Sequence, residues 1–368
     1  MRDLLMGLTP RDLDYVFFGS EEEFLTRNPA ARKLGTGPAY GLHGREFTAL
    51  GLDPVSNLLR RDFTINAFLL AEDGVLHMHP SAVEDLRAGR LSLVAQESLI
   101  RDPLRVFRAA RFCAQFPELQ PDVSCLAGMA EAARLPVFAA LPAERVGQEC
   151  LKALQGSRPG NFLRVLGKGQ ALGHWFAELA GAGMVPAGPL AYHDCDVLEH
   201  LAQVMDRSAL EAQARALAGG LARLVVWMAL CHDLGKVNTA AEMLPHHYQH
   251  ESRGKSAARA LARRLRLPSN LIRAGVLAAG LHMKAGNYQK LRPGTRTDLL
   301  MEVHAYDLLQ PLFLLAQADS GKTGLLEAAQ TDLERIMAVK LPPEWENRGP
   351  ASALRLRDLR AMALTRSR

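Results

Sequence analysis

Asp12 and Asp14 flank a single leucine just ahead of the apolar run Tyr15-Val16-Phe17-Phe18. Carboxylates two residues apart on a strand point to the same face. Such a pair offers the hard oxygen ligands that Mg²⁺ prefers, with waters left for substrate phosphates. That chemistry serves two-metal phosphoryl or nucleotidyl transfer. Taken alone, D-x-D at a strand end is more often a solvated edge. Cationic groups nearby change the reading. "RRDFTINAF" (60–68) sets Arg61 beside Asp62, and "RDPLRVFRAAR" (101–111) repeats arginine at 101, 105, 108 and 111. That spacing places Arg101, Arg105 and Arg108 on one face of one helix, with Arg111 close by. Guanidinium groups stacked this way repel one another unless they meet acids elsewhere or a bound anion such as a triphosphate or RNA.

A second set carries nitrogen ligands. "LVVWMALCHDLGKV" (224–237) reads as an apolar helix ending in His232-Asp233 and broken by Gly235. His200 lies upstream, and His246, His247 and His250 sit in "HHYQHE". His282 and Asp319 follow. Nine of the twelve histidines come after residue 170, which concentrates imidazole in this part of the chain. A core or surface role explains any one of them, but not the spacing of the set. Adjacent His and Asp after a buried helix make a metal-site candidate.

The elements that must hold these groups change character along the chain. "LDYVFFG" (13–19) and "REFTALG" (45–51) read as strands. "INAFLLAEDGVLHMH" (65–79) runs into a hairpin at Asp73-Gly74. Beyond about residue 95 the apolar spacing becomes helical. Asp102 as N-cap and Pro103 in the first turn mark a helix start. The Gly/Pro-rich "AGAGMVPAGP" (180–189) is the best candidate domain boundary. A polar, Arg-rich tail after about 335 reads as one loosely packed helix.

The chain has 368 residues with 48% hydrophobic and 23% charged residues, ordinary for a globular protein of two or three domains. Five scattered cysteines without a CxxC pair fit a reducing compartment and argue against a zinc-cysteine site. No apolar run spans a bilayer and no signal peptide is visible. We expect a cytoplasmic protein with no membrane partner. The net charge of +5 permits a polyanionic partner. Arginine outnumbers lysine, which suits phosphate recognition and equally a GC-rich genome.

"RRDFTINA", "EDLRAGRL" (84–91) and "DPLRVFRAARF" (102–112) resemble the class II tRNA nucleotidyltransferases, which include CCA-adding enzymes and bacterial poly(A) polymerases. "RDLLMGLTPRDLDYVFFG" resembles their first motif, and "LPAERVGQE" (141–149) the start of their neck and body helices. The resemblance implies an α+β fold: a small N-terminal mixed β-sheet head of the polymerase-β-like nucleotidyltransferase type (1–95), an all-α neck and body (96–185), an all-α HD domain (190–325) and a tail (326–368). It implies that Asp12 and Asp14 bind Mg²⁺ and activate the RNA 3′-hydroxyl. Arg2 would touch the triphosphate, and Arg61 and Asp62 would hold ribose and phosphates. Asp102 and Arg105 would read the incoming base, with Arg108 and Arg111 backing the phosphates. The order H…HD…H…H…D resembles the HD phosphohydrolase superfamily, and "CHDLGK" with "LPHHYQHE" the HD domain of bacterial multifunctional CCA proteins. By that resemblance His200, His232, Asp233 and Asp319 form a first metal shell. His250 and His282 are candidate ligands of a second metal, with Ni²⁺, Mn²⁺ and Mg²⁺ all open. The implied activities are template-independent addition of CMP, with or without AMP, to tRNA from CTP and ATP, and hydrolysis of phosphomonoesters or 2′,3′-cyclic phosphates.

Three departures shape the expectation. Nothing precedes Met1 where the family has a strand and a Gly-Gly pair, which suggests a misplaced start codon. The connection "LDPVSNLL" is short where CCA-adding members carry a longer basic loop, which predicts CC addition without efficient A addition. Arg101 stands where the family has Glu, which loosens base selection. Two alternatives stay open at this point. One is an HD phosphohydrolase on an inactive nucleotidyltransferase scaffold, and the other is a non-catalytic tRNA-binding protein. Monomer and homodimer are both open.

Overall fold

The computed structural model describes every residue except 1, 11–12, 36, 51–52, 192–193 and 366–368. The chain divides into two compact units, Met1–Arg105 with Glu118–Ala132, and Val106–Pro117 with Ala133–Arg368.

The first unit holds the strands. A short helix α1 (Arg2–Leu5) precedes β1 (Asp14–Phe18), and α2 (Glu21–Arg27) follows behind a reciprocal Ser20/Glu23 capping box. Strands β2 (Arg32–Lys33), β3 (Ala39–Leu42) and β4 (Arg45–Leu50) complete a mixed sheet in the order β1-β4-β3-β2. β1 runs parallel to β4, and the other pairs are antiparallel. The β3–β4 turn is tight because His43 and Gly44 both take positive φ, 50° and 74°. Alternation along β1 sorts its side chains. Phe17 goes to the face packed with Phe24, Tyr40 and Phe47, whereas Phe18 packs against Leu58, Ala67, Leu69 and Val94. Asp14 shares the Phe18 face.

That second face is covered by α3 (Pro54–Leu58), which Asp53 caps and Pro54 starts. The hairpin of β5 (Phe68–Leu70) and β6 (Leu76–Met78) turns at Asp73-Gly74, as read from the sequence. Helix α4 (Ala82–Ala88) ends on left-handed Gly89. β7 (Arg90–Leu91) and α5 (Ser98–Arg101) follow, then α6 (Leu104–Gln115), in which the chain passes between the units. β8 (Gln120–Pro121) pairs in parallel with β7, ahead of α7 (Val123–Arg134).

One expectation is corrected here. Arg101 does not share a helix with Arg105, Arg108 and Arg111. It ends α5, and the helical path stops at Asp102, whose backbone is extended at φ −139°, ψ 89°. Pro103 is the physical reason, because it disfavours helical backbone in the residue before it.

The second unit is helical: α8 (Pro136–Ala139), α9 (Ala143–Ala153), α10 (Gly160–Lys168), α11 (Val197–Ala214), α12 (Gly219–Cys231), α13 (His250–Arg264), α14 (Ser269–Gly286), α15 (Pro293–His304), α16 (Leu309–Ser320), α17 (Leu325–Met337) and α18 (Pro350–Ala363). α12 is buried from Val225 onward, with Trp227 fully enclosed and its indole N–H donating to Leu271 O at 2.7 Å. The 180–189 segment lies inside this unit as a run of turns around Ala182–Met184. α18 buries none of its residues, as the polar tail suggests. The α+β expectation holds: a small mixed sheet at the N-terminal side and helices thereafter. Among the described residues no single helix is long and apolar enough to cross a membrane.

Candidate functional site

In the first unit, β1 delivers Asp14 to the sheet face under α3. The parallel register sets Glu46 directly opposite it, a carboxylate whose relevance no sequence spacing announces. Asp12 lies outside the described residues. Asp14 also reaches Arg61 electrostatically. Burial lowers the Arg61 pKa, and the charges of Asp62 and Asp14 oppose that shift. Arg61 donates to Asn66 O and Asn57 Oδ1, both at 3.2 Å. Asp62 is buried and serves the loop itself. Its Oδ1 accepts from Phe63 N at 2.8 Å and Asn66 Nδ2 at 3.0 Å. Asn66 Oδ1 in turn accepts from Arg2 Nη1 at 2.7 Å. "RRDFTINA" therefore folds into a knot that joins Arg2 to Arg61 and Asp62.

Beside it opens a cavity of about 340 Å³, with Leu59 and Ala95 as apolar wall and Arg60, Arg101, Asp102 and Arg105 as its charged lining. Arg105 holds the knot from this side, donating to Arg60 O at 2.6 Å, Arg61 O at 3.1 Å and Ser98 Oγ at 2.6 Å. Its Nε stays 3.8 Å from Asp102 Oδ2. A volume of this size suits a small ligand, and an Asp acceptor beside Arg donors suits the polar edge of a base. Arg60, passed over as a site residue in the sequence, belongs to this lining, and Arg101 joins it from the end of α5. Arg108 and Arg111 lie in the second unit. Arg111 is largely buried and pairs with Glu149 of α9 and Gln115.

In the second unit, five elements bring the other set together. Asp196 caps α11, so His200 falls in its first turns. His232 is the C-cap of α12, and Asp233 stands before the 3-10 turn Leu234–Lys236. His250 starts α13, His282 lies in α14, and Asp319 near the end of α16. Three Nδ1 atoms bond backbone carbonyls: His232 to Ala229 O, His250 to His247 O and His282 to Ala278 O, at 2.7 to 3.0 Å. Those bonds fix the tautomer, so the Nε2 lone pairs face inward. His200 and His232 approach Nε2 to Nε2 at 3.3 Å, as do His250 and His282. Between His250 and His282, both with Nδ1 on a carbonyl, the facing lone pairs repel unless a cation lies between them.

Asp233 joins the two halves. Its Oδ2 lies 3.1 Å from His200 Nε2 and 3.2 Å from His232 Nε2, while Oδ1 lies 3.4 Å from both His250 and His282 Nε2. Oδ1 is buried without a hydrogen-bond partner, an expensive condition for a carboxylate oxygen unless a metal occupies it. Asp319 Oδ1 lies 3.3 Å from His200 Nε2. The donors divide into His200, His232, Asp319 and Asp233, His250, His282. Both sets fit divalent cations, through nitrogen and oxygen alone. Burial raises the Asp233 carboxyl, but His232 and Lys236 prevail and hold it well below the usual range. Lys236 was not singled out from the sequence. Its Nζ is 2.7 Å from Asp233 Oδ2 and donates to Ala187 O. Asp319 is the most exposed donor at 23%, so solvent reaches the cluster from its side.

No protein-family model matches the chain. The chain is 34% identical to the multifunctional CCA protein of Laribacter hongkongensis, over 83% of this chain and 78% of that protein. It is 32% identical to the multifunctional CCA protein of Xanthomonas oryzae pv. oryzae, over 99% of this chain and 92% of the relative. This chain belongs to the multifunctional CCA protein family. Solved CCA-adding enzymes share its fold. One in complex with ATP superposes with a TM-score of 0.68 at 17% identity, over 98% of this chain and 83% of that one. The Thermotoga maritima CCA-adding enzyme complexed with tRNA gives 0.65 at 16% identity, over 99% and 89%.

Proposed function

We propose that the chain adds CMP, from CTP, to the tRNA 3′ end in its first unit and hydrolyses phosphate esters at the His/Asp cluster of its second. The helices before and after the 180–189 turns are read as neck and body (96–185) and HD domain (190–325). In the first unit Asp14, with Asp12, would hold Mg²⁺. Arg2, Arg61 and Asp62 position the ribose and phosphates, and the carboxylate of Asp102 accepts from the exocyclic amine that C and A both present. Arg105 keeps loop 60–61 in place for that reading and offers its remaining N–H groups to the base. Arg108 and Arg111 are assigned to back the phosphates. In the second unit one metal would sit between His200, His232 and Asp319, and a second at Asp233 Oδ1, His250 and His282. Mn²⁺ and Ni²⁺ suit the imidazoles. The metals would polarise a phosphoryl oxygen and acidify a water. Asp233 joins the two positions, and Lys236 keeps its carboxylate ionised. The buried, orphaned Oδ1 of Asp233 is the observation that carries this half of the reading.

Separate assays test the two halves. Asp14→Ala is expected to abolish CTP incorporation into tRNA transcripts and leave hydrolysis of 2′,3′-cyclic AMP intact. Asp233→Ala is expected to do the reverse. Loss of both activities in either variant would refute two independent centres. Wild type that hydrolyses but never adds nucleotides would leave an HD phosphohydrolase on an inactive scaffold. The same incubation with ATP reads the last nucleotide. The short α3 connection favours CC addition, and robust terminal A incorporation would overturn that. Cysteines that form no disulfide among the described residues, together with the tRNA substrate, support a cytoplasmic setting.

A further inference from the structure

From Ser252 to Thr297 the chain carries eleven lysines and arginines and no carboxylate, against a net charge of +5 for the whole molecule. This stretch comprises α13, α14 and the entry to α15. Some of its cations have structural work. Arg264 binds Glu178, Arg296 binds Asp332, Arg273 lies over the ring of Tyr306, and Arg253 donates to Gly235 O and Tyr248 O. The other seven do not. Four of them stand together: Lys255, Arg259 and Arg263 on α13, and Arg266 just beyond it, are exposed and have no ion-pair or hydrogen-bond partner among the described residues.

Lys255, Arg259 and Arg263 share one face of α13, and Arg266 follows just past its end. His250, Gly254, Ala258 and Leu261 are the buried side of the helix, and the three helical cations recur at four-residue intervals beside it. Each interval of four rises about 6 Å, so a cation stands at nearly every turn of a helix about 22 Å long. Mutual repulsion makes such a stripe unfavourable by itself, and a polyanion reverses the sign. The stripe is tied to the metal cluster through the helix pair. α13 begins with His250, and the Lys255 stem crosses Gly280 of α14, two residues before His282. A Cβ there would meet Lys255 Cε at 2.1 Å.

We infer that the exposed face of α13 is a track for the phosphodiester backbone of tRNA near the phosphohydrolase centre. The inference rests on the reading of the chain as a tRNA enzyme. Three of the four cations are arginine, whose planar fork matches phosphate oxygens. An anionic membrane is the poorer match, because interfacial helices need an exposed apolar face. No large hydrophobic side chain is exposed between Tyr248 and Met283.

The test compares wild type with the triple variant Lys255→Gln, Arg259→Gln, Arg263→Gln in the full chain. Fluorescently labelled tRNA transcript is titrated by anisotropy at several KCl concentrations. The variant is expected to bind roughly 10- to 100-fold more weakly near 0.1 M salt, with a salt slope smaller by about 2 to 3. Hydrolysis of 2′,3′-cyclic AMP should keep its kcat and KM, which certifies the fold. On tRNA ending in a cyclic phosphate, KM should rise at unchanged kcat. Equal affinity and slope in both proteins would overturn the inference. Equal tRNA binding with lost sedimentation on phosphatidylserine vesicles would reassign the stripe to a lipid surface. If wild type itself binds no tRNA, the tRNA reading fails, and the inference with it.

Discussion

At the scale of single residues, Gly235 shows how a side chain's absence positions chemistry. The 3-10 turn after His232-Asp233 crosses the start of α13 so closely that a Cβ on Gly235 would lie 2.0 Å from His250 O and 2.5 Å from Gly254 N. Both are backbone atoms, so a methyl group can be fitted only by moving α13, and His250 with it. Gly235→Ala should therefore destabilise the protein by about 1 to 3 kcal/mol, the usual range for overpacking. It should also lower phosphohydrolysis well beyond what the lost stability explains at 25 °C. Thermal melts paired with cyclic-nucleotide kinetics check this, and unchanged kinetics would mean that the contact does not set the cluster. Sequence reading found the histidines and aspartates because HD and HHYQHE are local patterns. It missed Glu46 and Lys236 as neighbours of site carboxylates. Glu46 is placed by the β1–β4 register, and Lys236 is singled out only by the approach of its Nζ to Asp233.

At the scale of elements, local signals were legible where they compete with nothing. The strands β1 and β4, the Asp-Gly hairpin and the Asp-Pro helix start all appear where their chemistry puts them. Periodicity failed where it was extended through Pro103, and Arg101 fell on α5 instead of α6. Partnering across helices was also illegible. Arg111 of α6 reaches Glu149 of α9, thirty-eight residues away, with side-chain exposures of 11% and 6%. Removing one member strands a buried charge, which typically costs about 3 to 5 kcal/mol. Glu149→Ala should lose about that much in chemical denaturation. The double variant Arg111→Met, Glu149→Leu should recover most of it, because a packed apolar pair avoids the desolvation penalty. Equal losses in the single and double variants would show that an apolar pair does not pack in this site and that the stranded charge is not the source of the loss.

At the scale of the whole molecule, the second unit has assembled a site whose own electrostatics favour a cation. Three imidazoles have their Nε2 lone pairs turned inward by backbone bonds, and a carboxylate oxygen of Asp233 is buried without a donor. A metal that binds this arrangement only when folded must stabilise the fold by linkage. The gain is about 2.7 kcal/mol at a free concentration one hundred times Kd. For a unit of 150 to 250 residues that corresponds to about 5 to 10 °C in Tm. Chelator-treated wild type should therefore melt higher when Mn²⁺ or Ni²⁺ is returned. Asp233→Asn keeps the size of the side chain but removes the charge shared by both donor sets, so most of the metal-induced rise should vanish. The difference in Tm with and without metal isolates binding from any direct effect of the substitution on stability. Asp14→Asn serves as the control, because its carboxylate lies in the other unit and should leave the Mn²⁺ or Ni²⁺ shift intact. An undiminished shift in Asp233→Asn would remove Asp233 from the metal site and, with it, the two-metal reading of the cluster.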